Sequence, residues 1–87
     1  MAKDNKKLLS RLSRIEGQVR GVKKMVEQEK YCVDVITQTS AIRSALASVE
    51  NQLLKGHLSH CVIEHIQKGK SKKAVDEIMQ IYELKRK

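Results

Sequence analysis

The chain has 87 residues, with 18 Lys and Arg against 10 Asp and Glu, and its formal net charge of +8 favours a polyanionic partner, nucleic acid above all. A chain of this length forms one small domain, residues 1–87, whose core is marginal enough that we expect oligomerisation to add burial. Phe and Trp are absent and the apolar residues are mostly Leu, Ile, Val and Ala, which suits helix packing better than a β-sandwich. The lack of a long apolar run or a hydrophobic N-terminal segment argues against a membrane span or a secretory signal, so we expect a cytoplasmic protein.

The first predicted helix covers residues 4–29, where apolar residues recur at steps of four and three. This spacing indicates an amphipathic helix with one face on a core. Gly17 and Gly21 in its interior each cost roughly 1 kcal/mol relative to Ala, and we expect close approach of another helix as the compensation. Nine basic and four acidic side chains give residues 1–30 a charge of +5. The apolar stripe consists of Leu8, Leu12, Ile15, Val19, Val22 and Val26.

The second predicted helix covers residues 31–66 and has the same spacing. Two further steps of four lead from its stripe to His57 and Cys61, and one step of three leads back to Cys32. We therefore expect these three side chains on the buried face. The stripe consists of Val35, Thr39, Ile42, Leu46, Val49 and Leu53.

Cys32, His57 and Cys61 offer two sulfur donors and one nitrogen donor to a soft metal ion. In a continuous helix, a rise of about 1.5 Å per residue separates Cys32 from His57 by about 37 Å, so the two can share an ion only across a subunit boundary. The midpoint between the cysteines falls at Leu46 and Ala47. Two copies that cross antiparallel about that point would bring Cys32 of one chain beside His57 and Cys61 of the other, at two sites per dimer.

A third predicted helix covers residues 71–84. Gly69 lies between two lysines and indicates the turn before this helix, and Ser71 is a suitable N-cap residue. The apolar face of the helix consists of Ala74, Ile78, Ile81 and Tyr82.

Three separated blocks of sequence resemble the copper-sensing operon repressor (CsoR) family of bacterial regulators, and the resemblance extends from about residue 7 to residue 84. It implies an all-α, three-helix protomer, an antiparallel helical-bundle dimer built on the long second helix, and a dimer of dimers. It also implies a transcriptional repressor that binds double-stranded operator DNA without a conventional helix-turn-helix. The blocks are RLSRIEGQVRG at 11–21, YCVDV at 31–35 and HLSHC at 57–61.

Within this family the ligand set decides the inducer, and Cys32, His57 and Cys61 match the copper-sensing branch. The nickel and cobalt sensors add an N-terminal His, and the first thirty residues contain none. The formaldehyde-responsive branch lacks the second Cys, and the persulfide-responsive branch lacks the His. The resemblance therefore implies Cu(I), whose binding would release the DNA and derepress copper-resistance genes.

Further site residues follow from the same resemblance. Tyr31 and Glu77 match positions that hydrogen-bond around the ligating His in the copper branch. His65 follows Cys61 by four residues, which leaves a fourth ligand or a zinc site open, whereas His60 points elsewhere around a helix.

For DNA, the resemblance implies phosphate and groove contacts from basic residues of the first two helices. Arg11 and Arg14 project away from the apolar stripe and are our first candidates, with Lys7 and Arg43 next. The partners are then operator DNA and further copies of the chain, as a homodimer or homotetramer.

Two other functions would use the same residues. The scaffold could sense another inducer, either a persulfide or oxidant through its thiols or Ni, Co or Zn, and the chain could also be a cytosolic copper buffer without operator preference. An enzyme is disfavoured because no nucleophile stands beside a base and an orienting group.

Overall fold

The computed structural model describes residues 5–86, and these fold into three helical segments without a strand. The first segment is helix α1, Asn5–Glu27. The second consists of α2 (Cys32–Gly56), a π-helical segment (His57–Val62) and α3 (Ile63–Gln67), and the third is α4 (Ser71–Arg86). The all-α prediction is confirmed, while the predicted start of the first helix at residue 4 lies outside the described residues. Among the described helices, none has the length and apolar character needed to cross a bilayer.

The described residues divide into two compact units, 5–53 and 54–86, with the boundary in the last turn of α2. In the first unit, α1 and α2 pack together through a small apolar core. Burial of each such aliphatic side chain contributes about 1.5 to 3 kcal/mol relative to exposure. The core consists of Leu8, Ile15, Ile42 and Val49, with Val22, Ala45 and Leu53 packed against it.

Only alternate members of each apolar stripe enter this core. Ile15 of α1 and Ile42 of α2 are buried, whereas Leu12, Val19 and Leu46 are 39%, 44% and 41% exposed. The predicted stripes therefore describe two faces of each helix, one that packs within the chain and one that is open. The buried core residues are seven positions apart within each helix, and the stripe residues between them lie on the exposed side.

The end of α1 is closed by a Schellman motif. The Lys30 N–H donates to the Met25 carbonyl at 2.9 Å, and the Glu29 N–H donates to the Val26 carbonyl at 3.1 Å. Glu29 has a left-handed backbone with φ of 52°, in the position where glycine is most common. The turn from α1 to α2 therefore passes through Glu29 in a left-handed conformation, which is unfavourable for a residue with a side chain.

The same motif closes α3, here with glycine. The Lys70 N–H donates to the His65 carbonyl at 2.6 Å, the Gly69 N–H donates to the Ile66 carbonyl at 3.1 Å, and Gly69 has φ of 75°. The predicted turn at Gly69 is confirmed.

Helix α4 begins at Ser71, where the sequence predicted it, but Ser71 is not its N-cap. The Ala74 N–H donates to the Lys70 carbonyl at 3.2 Å, so Lys70 is in the N-cap position and Ser71 is the first residue of the helix. In the second unit, α4 packs against the π-helical segment and α3. Ala74 is 2% exposed there, and Val62 is also buried. The small side chain of Ala74 allows a close approach of α4.

The two glycines of α1 have open space around them within the chain. A Cβ atom on Gly21 would meet no atom within 4 Å, and one on Gly17 would meet only the end of the Arg20 side chain at 3.8 Å. The close helix approach expected at these glycines is therefore absent from the described part of the chain.

Candidate metal centre and nucleic-acid surface

His57 and Cys61 lie on the π-helical segment, and both are half-buried. Such segments are rare and are often found at functional sites. The sequence holds a signal for it that the helix prediction missed. Leu53, His57, Cys61 and His65 follow one another in three consecutive steps of four. A face that stays in line at steps of four requires more residues per turn than the 3.6 of an α-helix.

The structure brings two of the sequence-predicted site residues together. His57 Nε2 lies 3.6 Å from Glu77 Oε1, and α4 supplies the carboxylate. Both atoms are buried and have no hydrogen-bond partner within 5–86. In the neutral imidazole one nitrogen carries the proton and the other accepts, so an Nε2–H directed at Glu77 leaves the Nδ1 lone pair free for a metal ion.

His65 approaches the same carboxylate oxygen, which sequence reasoning did not foresee. Its Nδ1 lies 3.4 Å from Glu77 Oε1 and is also buried without a partner in the described chain. His60, in contrast, is exposed.

Cys32 and Tyr31 belong to the other unit. Cys32 is the first residue of α2 and is exposed, and Tyr31, just before it, is 68% exposed. Between residues 5 and 86 of one chain, no three His, Cys, Asp or Glu side chains form a group that could hold a metal ion.

The predicted DNA-binding residues are all exposed. Arg11 Nη1 donates to Ser48 Oγ at 3.1 Å and to Gln52 Oε1 at 2.9 Å, so side chains of α2 hold this guanidinium in place. Arg14 and Gln18 line a cleft of about 210 Å³ next to it. Arginine carries five N–H donors, so Arg11 keeps donors for a second partner. The remaining two candidates, Lys7 and Arg43, are exposed as well.

A family model described as metal-sensitive transcriptional repressor matches residues 4–83 of the chain. Among curated proteins, the copper-sensing transcriptional repressor RicR of Mycobacterium tuberculosis (strain ATCC 25618 / H37Rv) is 55% identical over 67 residues, which are 77% of this chain and 68% of that protein.

Two solved structures have the same fold. The copper-sensing repressor CsoR with Cu(I) from Geobacillus thermodenitrificans NG80-2 has a TM-score of 0.92 and 42% identity, over 100% of this chain and 91% of that chain. The nickel-responsive transcriptional regulator InrS has a TM-score of 0.79 and 34% identity, over 95% and 93% of the two chains. Because the family model matches nearly the whole chain and these relatives agree with it in sequence and fold, the chain belongs to the family of metal-sensitive transcriptional repressors, DNA-binding regulators that are not enzymes.

Proposed function

We propose that the chain is a cytoplasmic, Cu(I)-responsive repressor that binds its operator without metal and leaves it when Cu(I) binds. The observation that carries this proposal is the donor set of Cys32, His57 and Cys61, with His57 Nε2 turned toward Glu77. Two thiolates and one imidazole are soft donors that suit Cu(I), whereas hard cations prefer oxygen. The orphaned Nε2 supports the same assignment, because its contact with Glu77 leaves the Nδ1 atom to face an ion.

The ligands are proposed to come from two chains. The open halves of the α1 and α2 stripes support a helical-bundle dimer, since Leu12, Val19 and Leu46 would be covered by a second copy. An open groove of about 660 Å³ follows α2 at Leu46 and Ala47, the midpoint between the two cysteines. An antiparallel partner in this groove would place its Cys32 at His57 and Cys61 of the first chain. Two such dimers would form the homotetramer.

The DNA contacts are proposed to come from Arg11 and Arg14, supported by Lys7 and Arg43. Arg11 is held by Ser48 and Gln52 of α2, so α2 sets where this guanidinium points. Without metal, the basic surfaces of the assembly fit the operator. When Cys32 of one chain and His57 and Cys61 of its partner bind one ion, they favour an arrangement of the chains in which these surfaces no longer fit. The part of Cu(I) in this proposal is to link the ligands of the two chains.

Operator release tests the proposal. Promoter DNA with a fluorescent label is titrated with protein and then with Cu(I) without oxygen, and anisotropy reports the bound fraction. We expect release for the wild type and for His60→Ala, whose side chain is outside the site, and retention for Cys32→Ala. Equal release from Cys32→Ala would reject the intersubunit site. No operator preference at all would favour a copper buffer, and release by Ni(II) or a polysulfide but not Cu(I) would favour another inducer.

A further inference from the structure

Three buried polar atoms meet at Glu77, and none has a hydrogen-bond partner among residues 5–86. Glu77 Oε1 lies 3.6 Å from His57 Nε2 and 3.4 Å from His65 Nδ1. Buried polar atoms in folded proteins are hydrogen-bonded in the great majority of cases. The contact of His57 with Glu77 belongs to the proposed metal centre, but that centre gives no role to His65.

The π-helical segment accounts for the meeting of the two rings. At about 100° per residue, two positions eight apart on an α-helix point about 80° apart. A π-helix bonds each residue to the fifth one along and turns less per residue, so His65 comes closer to the direction of His57. Glu77 completes the cluster from α4, one turn after the buried Ala74.

We infer that His65 is a positioning residue of the metal centre, acting through Glu77. One carboxylate oxygen has two lone pairs and can accept from both rings. The two distances exceed an ordinary N–H···O bond by about 0.5 Å, so a small movement of the carboxylate forms both bonds. His65 then holds Glu77 in the place where it selects the Nε2–H tautomer of His57, and the Nδ1 lone pair of His57 is ready before any ion arrives. This inference rests on the proposed function.

A ligand role for His65 fits less well. Its buried Nδ1 faces the carboxylate. In the described chain, His57, His65 and Glu77 do not form a group that could hold an ion by themselves. A hydrogen bond to Glu77 is the use of His65 that the geometry supports.

Two substitutions separate these roles. His65→Asn keeps an N–H donor near the Nδ1 position, and His65→Leu removes it at similar size. His60→Leu is the matched control, since His60 is exposed. The first measurement needs no copper: long-range ¹H–¹⁵N spectra of the metal-free protein, at slightly alkaline pH where imidazoles are neutral, report which nitrogen of His57 carries its proton.

We expect a single Nε2–H tautomer of His57 in the wild type, His65→Asn and His60→Leu, and a mixture in His65→Leu. Competition titration should then show Cu(I) affinity reduced about 10-fold in His65→Leu, the lower end of the effect of removing such outer partners, and nearly unchanged in His65→Asn. An unchanged His57 tautomer in His65→Leu would overturn the inference. Equal loss of affinity in both variants would also overturn it, in favour of a ligand. If no variant binds Cu(I), the proposed function fails, while the tautomer result still decides the role of His65.

Discussion

Glu29 and Gly69 occupy equivalent positions at the ends of α1 and α3, but only one of them is glycine. Both have positive φ, at 52° and 75°. A left-handed conformation costs an L-residue with a side chain roughly 1 to 2 kcal/mol, and glycine avoids this cost. The turn after α1 is therefore the weaker of the two.

We predict that Glu29→Gly raises the free energy of unfolding by about 0.5 to 1 kcal/mol, while Gly69→Ala lowers it by about 1 kcal/mol. Urea denaturation followed by circular dichroism measures both. Glu27→Gly serves as control, because Glu27 is still within the helix, where glycine is unfavourable. A destabilised Glu29→Gly would show that its left-handed backbone costs little.

A second prediction concerns the exposed pair of Glu64 and Lys68, whose Nζ and Oε1 atoms are 2.7 Å apart. The hydrogen bond from Lys68 and then its charge lower the pKa of Glu64. The folded pKa lies below the unfolded one, so the contribution of this pair is present above the unfolded pKa and is lost as the pH falls through the folded pKa. Lys68→Ala should raise the pKa of Glu64 toward its ordinary value in a ¹³C NMR titration. Lys72→Ala should leave it as it is, and an unchanged value in Lys68→Ala would contradict the cause given.

At the scale of the elements, α2 has two apolar faces with different tasks. Ile42 is buried against α1, and Leu46, one turn later, is 41% exposed beside the groove at Ala47. One side of the stripe thus serves the fold of a single chain, and we propose that the open side serves assembly with another chain. The two tasks can be separated by substitution.

We predict that Ile42→Ala lowers the free energy of unfolding by about 2 to 5 kcal/mol, the usual loss for a buried Ile. Leu46→Glu should instead lower the molecular mass of the assembly measured by analytical ultracentrifugation, because burying a charged side chain in the groove disfavours binding of a partner helix. Thr37→Glu is the matched control on the opposite side of α2 and should keep the assembly. An assembly unaffected by Leu46→Glu would exclude this face as the interface.

Sequence periodicity predicted the helices well because steps of four and three keep a stripe on one face, as at Ile15 and Ile42. Periodicity did not show which stripe residues are buried within the chain and which stay exposed, because that depends on how α1 and α2 pack against each other. It also treated residues 57–62 as ordinary helix, because single steps of four also occur in α-helices and only their unbroken repetition indicates a wider turn. The contact of His65 with Glu77 could not be predicted from the sequence, because it depends on both the π-helical segment and the packing of α4.

For the whole molecule, DNA affinity should depend on salt through the arginines. For B-DNA the slope of log K against log salt steepens by about 0.9 for each phosphate that the protein neutralises. We predict that Arg14→Ala makes this slope shallower by about 0.9 for each phosphate that Arg14 neutralises, and that Arg14→Lys retains most of it because the charge remains. Anisotropy titrations at several salt concentrations measure it. An unaltered slope in Arg14→Ala would remove Arg14 from the interface.

Copper and DNA should act on each other equally. If Cu(I) weakens operator binding by some factor, operator DNA must weaken Cu(I) binding by the same factor, and the corresponding coupling free energy is typically about 1 to 3 kcal/mol. Competition titrations measure the Cu(I) affinity with and without operator DNA, and their ratio gives this factor. Unrelated DNA of equal length is the control. Equal Cu(I) affinities in both would mean that metal binding is not coupled to release.

In the proposed dimer, the open halves of the stripes would make the fraction of paired chains depend on the protein concentration. In a lone chain Leu12, Val19 and Leu46 are exposed to water. Binding of a second chain that covers them would stabilise the folded state by mass action. When the protein is scarce, fewer chains would be paired, and the proposed centre, with donors on both chains, would exist only in the pairs. The amount of repressor in the cell would then set, along with metal, how much of it can respond.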